Sequence, residues 1–297
     1  MSGGLDSTSV AAMARRCAPR GGSPDLFSSS FVFPNLRQCD ERAYIEATAE
    51  ALDLGSELVD AERHWVLGDA QAYQPRLEAP LLAWESAFRE VLRRTRSRNA
   101  RILLTGHGGD DLMAGSFSAY ADRLLQGDLR VLFETFPHAA SRGRSGWRTL
   151  YRYFGQPLIP EVMYRTVRRL RGKPPRPRIP EWIRPEFIHR SGLAEHLHSV
   201  PARPARNAAW YELYDEVVRL RGWERAVHWY TSNASPFGIE VRHPFLDRRL
   251  VELMLAIPSR LRSHPGCYKP FLRRATDGLL PRKPGCNSLM QACEENH

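Results

Sequence analysis

At 297 residues and 42% hydrophobic content, the chain is long enough to bury a core, as one large domain or two small ones. No run approaches the roughly 18 apolar residues of a membrane helix and nothing resembles a signal peptide, which argues against a membrane or secreted protein. The net charge of +10 rests on arginine, since only three of the 43 basic residues are lysine (Lys173, Lys269 and Lys283).

The arginines spread along helix faces such as "REVLRRTRSR" and "RTVRRLRGK", with no RNA-binding aromatic motif or zinc-finger spacing nearby. This pattern reads as a solvated basic surface suited to an acidic or peptide substrate, and it argues against nucleic acid as a partner. Five cysteines, odd in number and without a CxxC pair, fit a reduced cytoplasmic protein lacking structural zinc.

In chain order, the opening loop "MSGGLDSTS" leads into a helix with Val10, Ala11, Met13 and Ala14 at helical spacing. "SSSFVF" reads as a buried strand stopped by Pro34, and Asp40 caps the amphipathic helix "ERAYIEATAEAL". "SELVD" reads as a second strand. Pro80 opens a long helix expected to turn Leu81, Trp84, Phe88, Val91 and Leu92 inward. "RILLT" is a third strand running into "GHGGDD". Strand and helix alternating at this rate predict an α/β fold, a doubly wound parallel sheet with ligands at the carboxyl ends of its strands.

Residues 1–136 thus read as a nucleotide-binding α/β core. Residues 137–206, rich in Arg, Pro and Gly, read as an extended surface connection. Residues 207–280 are mainly helical and complete the site, and residues 281–297 form a tail.

A glycine-rich loop entering a helix is an anion cradle, and Ser2, Ser7, Thr8 and Ser9 add hydroxyl donors. No GK[ST] follows, so this is not a Walker A loop. Asp6 would repel a bare phosphate. It makes sense if it holds Mg²⁺ against one. "LLTGHGGDD" ends a strand in a second glycine turn carrying Asp110 and Asp111, so two acidic loops at one sheet edge are placed to share that metal.

"SGGLDSTS" resembles the pyrophosphate loop of the ATP-pyrophosphatase group. "GHGGDDLMAG", "GIEVRHPFLDRRLVE" and "YKPFLRRA" follow in the order found in the synthetase domain of glutamine-dependent asparagine synthetase. The resemblance spans nearly the whole chain and implies an ATP-dependent ligase that adenylates a carboxylate, releases pyrophosphate and forms an amide. By position it implies that Ser2, Gly3, Gly4, Asp6 and Ser7 hold pyrophosphate, with Gly106 and Gly108 in the facing loop. Asp6 and Asp110 hold Mg²⁺, and the strand carrying Phe31 and Val32 meets adenine. Lys269 stabilises charge on the phosphates. The roles of Glu240, Arg242 and Asp247 in "EVRHPFLD" stay open between a part in the site and buried ion pairs tying the last helices to the sheet.

His107 stands where asparagine synthetase carries glutamate, which argues against aspartate-to-asparagine chemistry. An imidazole still suits removal of a proton from an attacking ammonium. "GHGGDD", "PEWIRPEFIHRSGL" and "GWERAVHWY" resemble the lasso-peptide cyclases, which join an Asp or Glu side chain of a precursor peptide to its own N-terminal amine. Glu224 is then the expected partner of His107, with leader-binding and protease partners implied. The alternatives are amidation of aspartate or another small carboxylate, and an inactive ATP-binding fragment.

In the family an apolar strand directly precedes "SGGLDS", and an amidotransferase-like domain lies before it. The expectation is therefore a chain truncated at its N-terminus, without its first strand or a glutaminase domain, and marginal in stability on its own.

Overall fold

Alternate residues of β1 (Phe27–Val32) are buried, and the strand pairs in parallel with β2 (Gly55–Asp60), Phe27 opposite Gly55 and Val32 opposite Asp60. The computed structural model describes residues 1–18, 26–64, 84–141, 145–159, 163, 166–167, 170, 179, 182–194, 207–219 and 222–281. Ahead of β1 runs α1 (Leu5–Cys17). A parallel pair needs a crossover connection, and α2 (Arg42–Ala51) supplies it, burying Ile45 and Ala49. Asp40 stands just before that helix and accepts from Arg42 N at 3.3 Å.

The long helix α3 (Glu85–Ser97) buries Phe88, Val91 and Leu92, as its spacing predicts. Leu81 lies outside the described residues. Trp84 turns inward only in part, its ring centroid 6.0 Å from that of buried Trp229. It occupies the cap position, where the turn has not closed, and stays 48% exposed. After α3 come β3 (Ile102–Leu104) and the short α4 (Gly109–Met113).

Here the chain leaves the first of two compact units, which comprises Met1–Ala114 with Leu213–His297; the second unit is Gly115–Glu212. Within the second unit, α5 (Ser118–Leu125), α6 (Arg130–Ser141) and α7 (Gly146–Leu150) enclose Tyr120, Val131, Tyr153 and Phe154. The Asp122 carboxylate accepts from Ala208 N and Ala209 N, both at 3.0 Å. Where an extended connection is expected, α7 continues through a π-helical turn, Tyr151–Gly155, and a last turn, Gln156–Leu158. Thr149, Tyr153 and Phe154 bury there, and the Arg, Pro and Gly content hides this apolar stripe from a compositional reading. Much of the proline-rich stretch after it lies outside the described residues.

Back in the first unit, α8 (Gly222–Ala234) leads to β4 (Glu240–Arg242), α9 (Arg248–Ala256) and α10 (Pro270–Ala275). β4 pairs in parallel with β3, Ile102 opposite Glu240 and Leu104 opposite Arg242. Phe88, Leu92, Trp229, Ala234 and Ile239 form one buried cluster, with Leu103 and Val241 packed against it. A second cluster joins Leu112, Met113, Phe245, Met254 and Leu272. The protein is thus α/β, mostly helical, with parallel pairing. Among the described residues its four strands form two separate pairs, β1–β2 and β3–β4, rather than one continuous sheet. No described helix is long and apolar enough to cross a membrane.

Candidate functional site

The opening loop ends at Gly4, which is extended (φ −75°, ψ 153°) and caps α1 without a side-chain bond. The loop's polar groups bond locally: Ser2 N donates to Ser7 Oγ at 2.9 Å, and Gly4 N donates to Ser2 Oγ at 3.2 Å. Gly3 N donates to the Glu41 carboxylate at 3.0 Å. A negatively charged oxygen therefore already sits on this backbone, in keeping with an anion cradle before a helix N-terminus.

The second loop packs directly on the first. Gly108 has φ 86°, a left-handed conformation natural to glycine, and caps α4. A Cβ on Gly106 would lie 2.7 Å from Ser7 N, and one on Gly109 would lie 2.3 Å from the Asp6 carboxyl carbon. Glycine at both positions lets the two loops touch.

Lys269 closes the site. Its backbone is left-handed (φ 53°, ψ 51°) at the cap of α10, and the residue is 3% exposed. Such a conformation in a residue with a side chain persists only where its surroundings hold it. The ammonium provides that hold, lying 2.5 Å from Asp6 Oδ2 and 2.6 Å from Asp110 Oδ1. Tyr268 donates to the same Asp110 oxygen at 2.5 Å. Burial pushes Asp6 above the usual carboxylate range, and Lys269 only partly offsets it. At Asp110 burial also acts upward, but the hydrogen bonds from Lys269 and Tyr268 outweigh it and hold the carboxyl low.

This arrangement fits a cation between the two acids. Lys269 already bridges them as one, and Asp6 Oδ1 is buried with no hydrogen-bond partner. Among the described residues no group of three or more His, Cys, Asp or Glu could hold a metal by itself. Mg²⁺ suits such a sparse set, since it takes one or two carboxylates and completes its shell with waters and phosphate oxygens.

On the far side of the second loop three rings meet. The centroids of His107 and His243 are 5.7 Å apart, those of His107 and Tyr230 5.7 Å, and those of Tyr230 and His243 5.1 Å. Thr105 Oγ1 lies 2.6 Å from His243 Nδ1 and accepts from His107 N at 3.3 Å. Burial pushes His107 down, and it pushes His243 down to about 4 with help from neighbouring His107. Both imidazoles are therefore neutral near pH 7.

Of the residues singled out from sequence, Ser2, Gly3, Gly4, Asp6, Ser7, Gly106, Asp110 and Lys269 come together. Gly108 turns the second loop, with Leu246 where its Cβ would be. Phe31 and Val32 end β1, Val32 buried and Phe31 against the Phe88–Trp229 cluster. Glu224 lies exposed in the first turn of α8, whereas Tyr230, further along that helix, meets His107.

Of the two readings open for "EVRHPFLD", buried ion pairs are ruled out. Glu240 and Arg242 pair with each other at 2.8 Å, 61% and 54% exposed, because a strand this short and open leaves both side chains on its solvent side. Asp247 caps α9, accepting from Arg249 N at 2.9 Å, so its role is local. β4 is tied to its neighbour by backbone instead, Glu240 N donating to Arg101 O and Thr105 N to Arg242 O.

Sequence reasoning missed His243, Thr105, Tyr230, Tyr268 and Glu41. The one available signal was adjacency: Tyr268 precedes Lys269, and His243 lies inside a stretch already singled out for its charges.

Two glycine loops, paired acids and a buried lysine, gathered where parallel strands end, mark an α/β enzyme acting on a charged substrate. The chain belongs to the asparagine synthase family, whose model matches residues 1–284. It is accordingly an ATP-dependent, amide-forming ligase of that family. A search of curated proteins finds no match to the chain.

Proposed function

We propose that the protein uses ATP and Mg²⁺ to activate a carboxylate as its adenylate, releasing pyrophosphate, and then joins that acyl group to an amine. The observation that carries this reading is the buried Lys269 ammonium set between Asp6 and Asp110 on two touching glycine loops. Ser2, Gly3, Gly4 and Ser7 receive the pyrophosphate oxygens through backbone N–H and hydroxyl donors. Lys269 stabilises the charge that develops on them. Asp6 and Asp110 would hold Mg²⁺, which supplies charge neutralisation on the phosphates when bound. The carboxyl end of β1, at Phe31 and Val32, is assigned to adenine.

In the second half-reaction His107 takes one proton from the incoming ammonium. The freed nitrogen lone pair forms the C–N bond, AMP leaves with the electron pair of the acyl–oxygen bond, and the nitrogen sheds a second proton to water. Neutral His107 is suited to this, since a protonated imidazole could accept nothing.

The finer reading is an isopeptide bond between an Asp or Glu side chain and the N-terminal amine of a precursor peptide, made in the cytoplasm. It is supported by an imidazole in place of the family's glutamate and by an arginine-rich chain of net charge +10. Amidation of a small carboxylate is the competing outcome. Mg²⁺-dependent ATP–pyrophosphate exchange, run separately with aspartate, glutamate and an acidic peptide with a free N-terminus, tests the reading. Exchange with the peptide is expected. Exchange with aspartate alone would replace the peptide reading, and none with any carboxylate would remove adenylation.

A further inference from the structure

Both imidazoles beside the second loop carry an Nε2 atom that is buried and without a hydrogen-bond partner. Buried polar atoms are ordinarily satisfied, and two orphans in one ring cluster point to a missing donor. The cluster stands at the carboxyl ends of two paired strands, His107 following β3 and His243 following β4. Asp110 stands in the first turn of α4, three residues after His107. Nothing but Tyr230 among the contacting rings carries a hydroxyl, and its face offers a π surface that attracts cations.

We propose that His243, held through Nδ1 by Thr105, is a substrate-binding residue that presents its Nε2 together with that of His107 as acceptors for the protonated amine destined to become the amide nitrogen. This rests on the ligase reading above and adds to it the site of the second substrate. An ammonium offers three N–H donors, enough for both Nε2 atoms with one to spare. It also brings the positive charge that the Tyr230 face and the Asp110 and Asp111 carboxylates favour. The assignment requires His243 to be the Nδ1–H tautomer, donating to Thr105 Oγ1, so that Nε2 keeps its lone pair.

Burial supports it, because an imidazole held neutral remains an acceptor at the pH where amines are charged. Thr105 is what fixes the ring: its hydroxyl contacts His243 Nδ1 at 2.6 Å and anchors the backbone of His107. The same small side chain therefore sets both imidazoles.

Two substitutions separate binding from packing. His243→Asn keeps a group at the Nδ1 position for Thr105 and loses the Nε2 acceptor. His243→Gln places an acceptor near Nε2 and loses the Thr105 bond. The probe is methylammonium chloride, titrated into the full chain while the imidazole ¹⁵N and ¹³C signals of His243 and His107 are followed. Tetramethylammonium, which has no N–H, serves as the control.

The wild type should show a saturable shift with methylammonium only, and His243 should show a protonated Nδ1. His243→Asn should weaken binding at least about tenfold, and His243→Gln should stay within about threefold of wild type. Equal binding in wild type and His243→Asn, equal loss in both variants, or equal response to tetramethylammonium would overturn the proposal. Pyrophosphate release measured on the same preparations keeps the two readings apart. Its absence with methylammonium binding intact removes the ligase reading alone, and its presence without binding removes the subsite alone.

Discussion

Lys269 Nζ lies 2.5 Å from Asp6 Oδ2, joining side chains 263 residues apart in sequence. The contact sets the cap residue of the last described helix against the first turn of α1. Lys269→Ala should lower pyrophosphate exchange by roughly 2–4 kcal/mol in transition-state terms, the range for losing one preorganised charge donor. Lys269→Arg should not restore it, because a planar guanidinium cannot take the place of a compact ammonium between two acids. Exchange assays on both variants, with normal turnover in either as the contrary result, check this.

Asp6→Asn and Asp110→Asn each remove one negative oxygen while keeping side-chain size. Either should abolish Mg²⁺-dependent exchange. The Tyr268 hydroxyl, which donates to Asp110 at 2.5 Å, should survive as a weaker bond to the amide. Full exchange at ordinary Mg²⁺ concentration in either single variant would return the acids to a structural role.

Two glycine substitutions should behave differently. At Gly106 an added Cβ meets the backbone of Ser7 at 2.7 Å, which cannot move without shifting α1. Gly106→Ala should therefore cost about 1–3 kcal/mol of stability, as overpacking does. At Gly109 the added Cβ meets the Asp6 carboxyl group at 2.3 Å, the end of a side chain that can turn away only by leaving Lys269. Gly109→Ala should therefore lose exchange activity altogether and also lower the melting temperature, because a buried ion pair is broken. Unchanged melting temperature and exchange in both variants would mean that the loops are only loosely apposed.

Much of this site was legible in the sequence, and the reason is local. "SGGLDSTS" and "GHGGDD" carry glycines, acids and hydroxyls within single loops, and Lys269 stands out in a chain that uses arginine almost everywhere else. The strands β1, β2 and β3 were likewise bounded by turn signals. His243 was not legible. Its place beside Thr105 follows from the pairing of β4 with β3, and a strand of three residues carries no periodic signal. Trp84 was legible only in part for a related reason: helical spacing assigns a face, but a residue at the cap has not yet joined the helix.

Acid should destabilise the fold through the ring cluster. His243 titrates near 4 when folded, against an ordinary value of 6.5. Below pH 6.5 the unfolded chain binds a proton that the folded chain refuses until about 4, so stability falls as pH drops through that window. At about 1.4 kcal/mol per unit the upper bound is about 3.5 kcal/mol, and solvent screening of a half-buried ring lowers it. Urea melts at pH 7 and pH 5 should show the decline, and His243→Phe should make it shallower. An unchanged slope would mean that the imidazole is not held neutral.

Trp229 and Trp84 offer a control on the core. Trp229 is 1% exposed and packs on Phe88 with ring centroids 5.1 Å apart, so Trp229→Ala should cost about 3–5 kcal/mol. Trp84→Ala should cost far less, since its ring is nearly half exposed. Comparable losses in chemical denaturation would place Trp84 in the interior after all.

The pairing of β3 with β4 also sets a clock. Ile102 meets Glu240 only after 138 residues of chain have been looped out, whereas Phe27 meets Gly55 after 28. Closing the longer loop costs about 1.4 kcal/mol more in chain entropy, roughly a tenfold handicap in rate if nothing forms in between. Where the second unit, Gly115–Glu212, has not yet formed inside that loop, the strand that delivers His243 to Thr105 should arrive late during refolding. A newly made chain should recover helix and the β1–β2 hydrogen bonds first, and pass through a compact, catalytically silent state whose second-substrate pocket has yet to assemble.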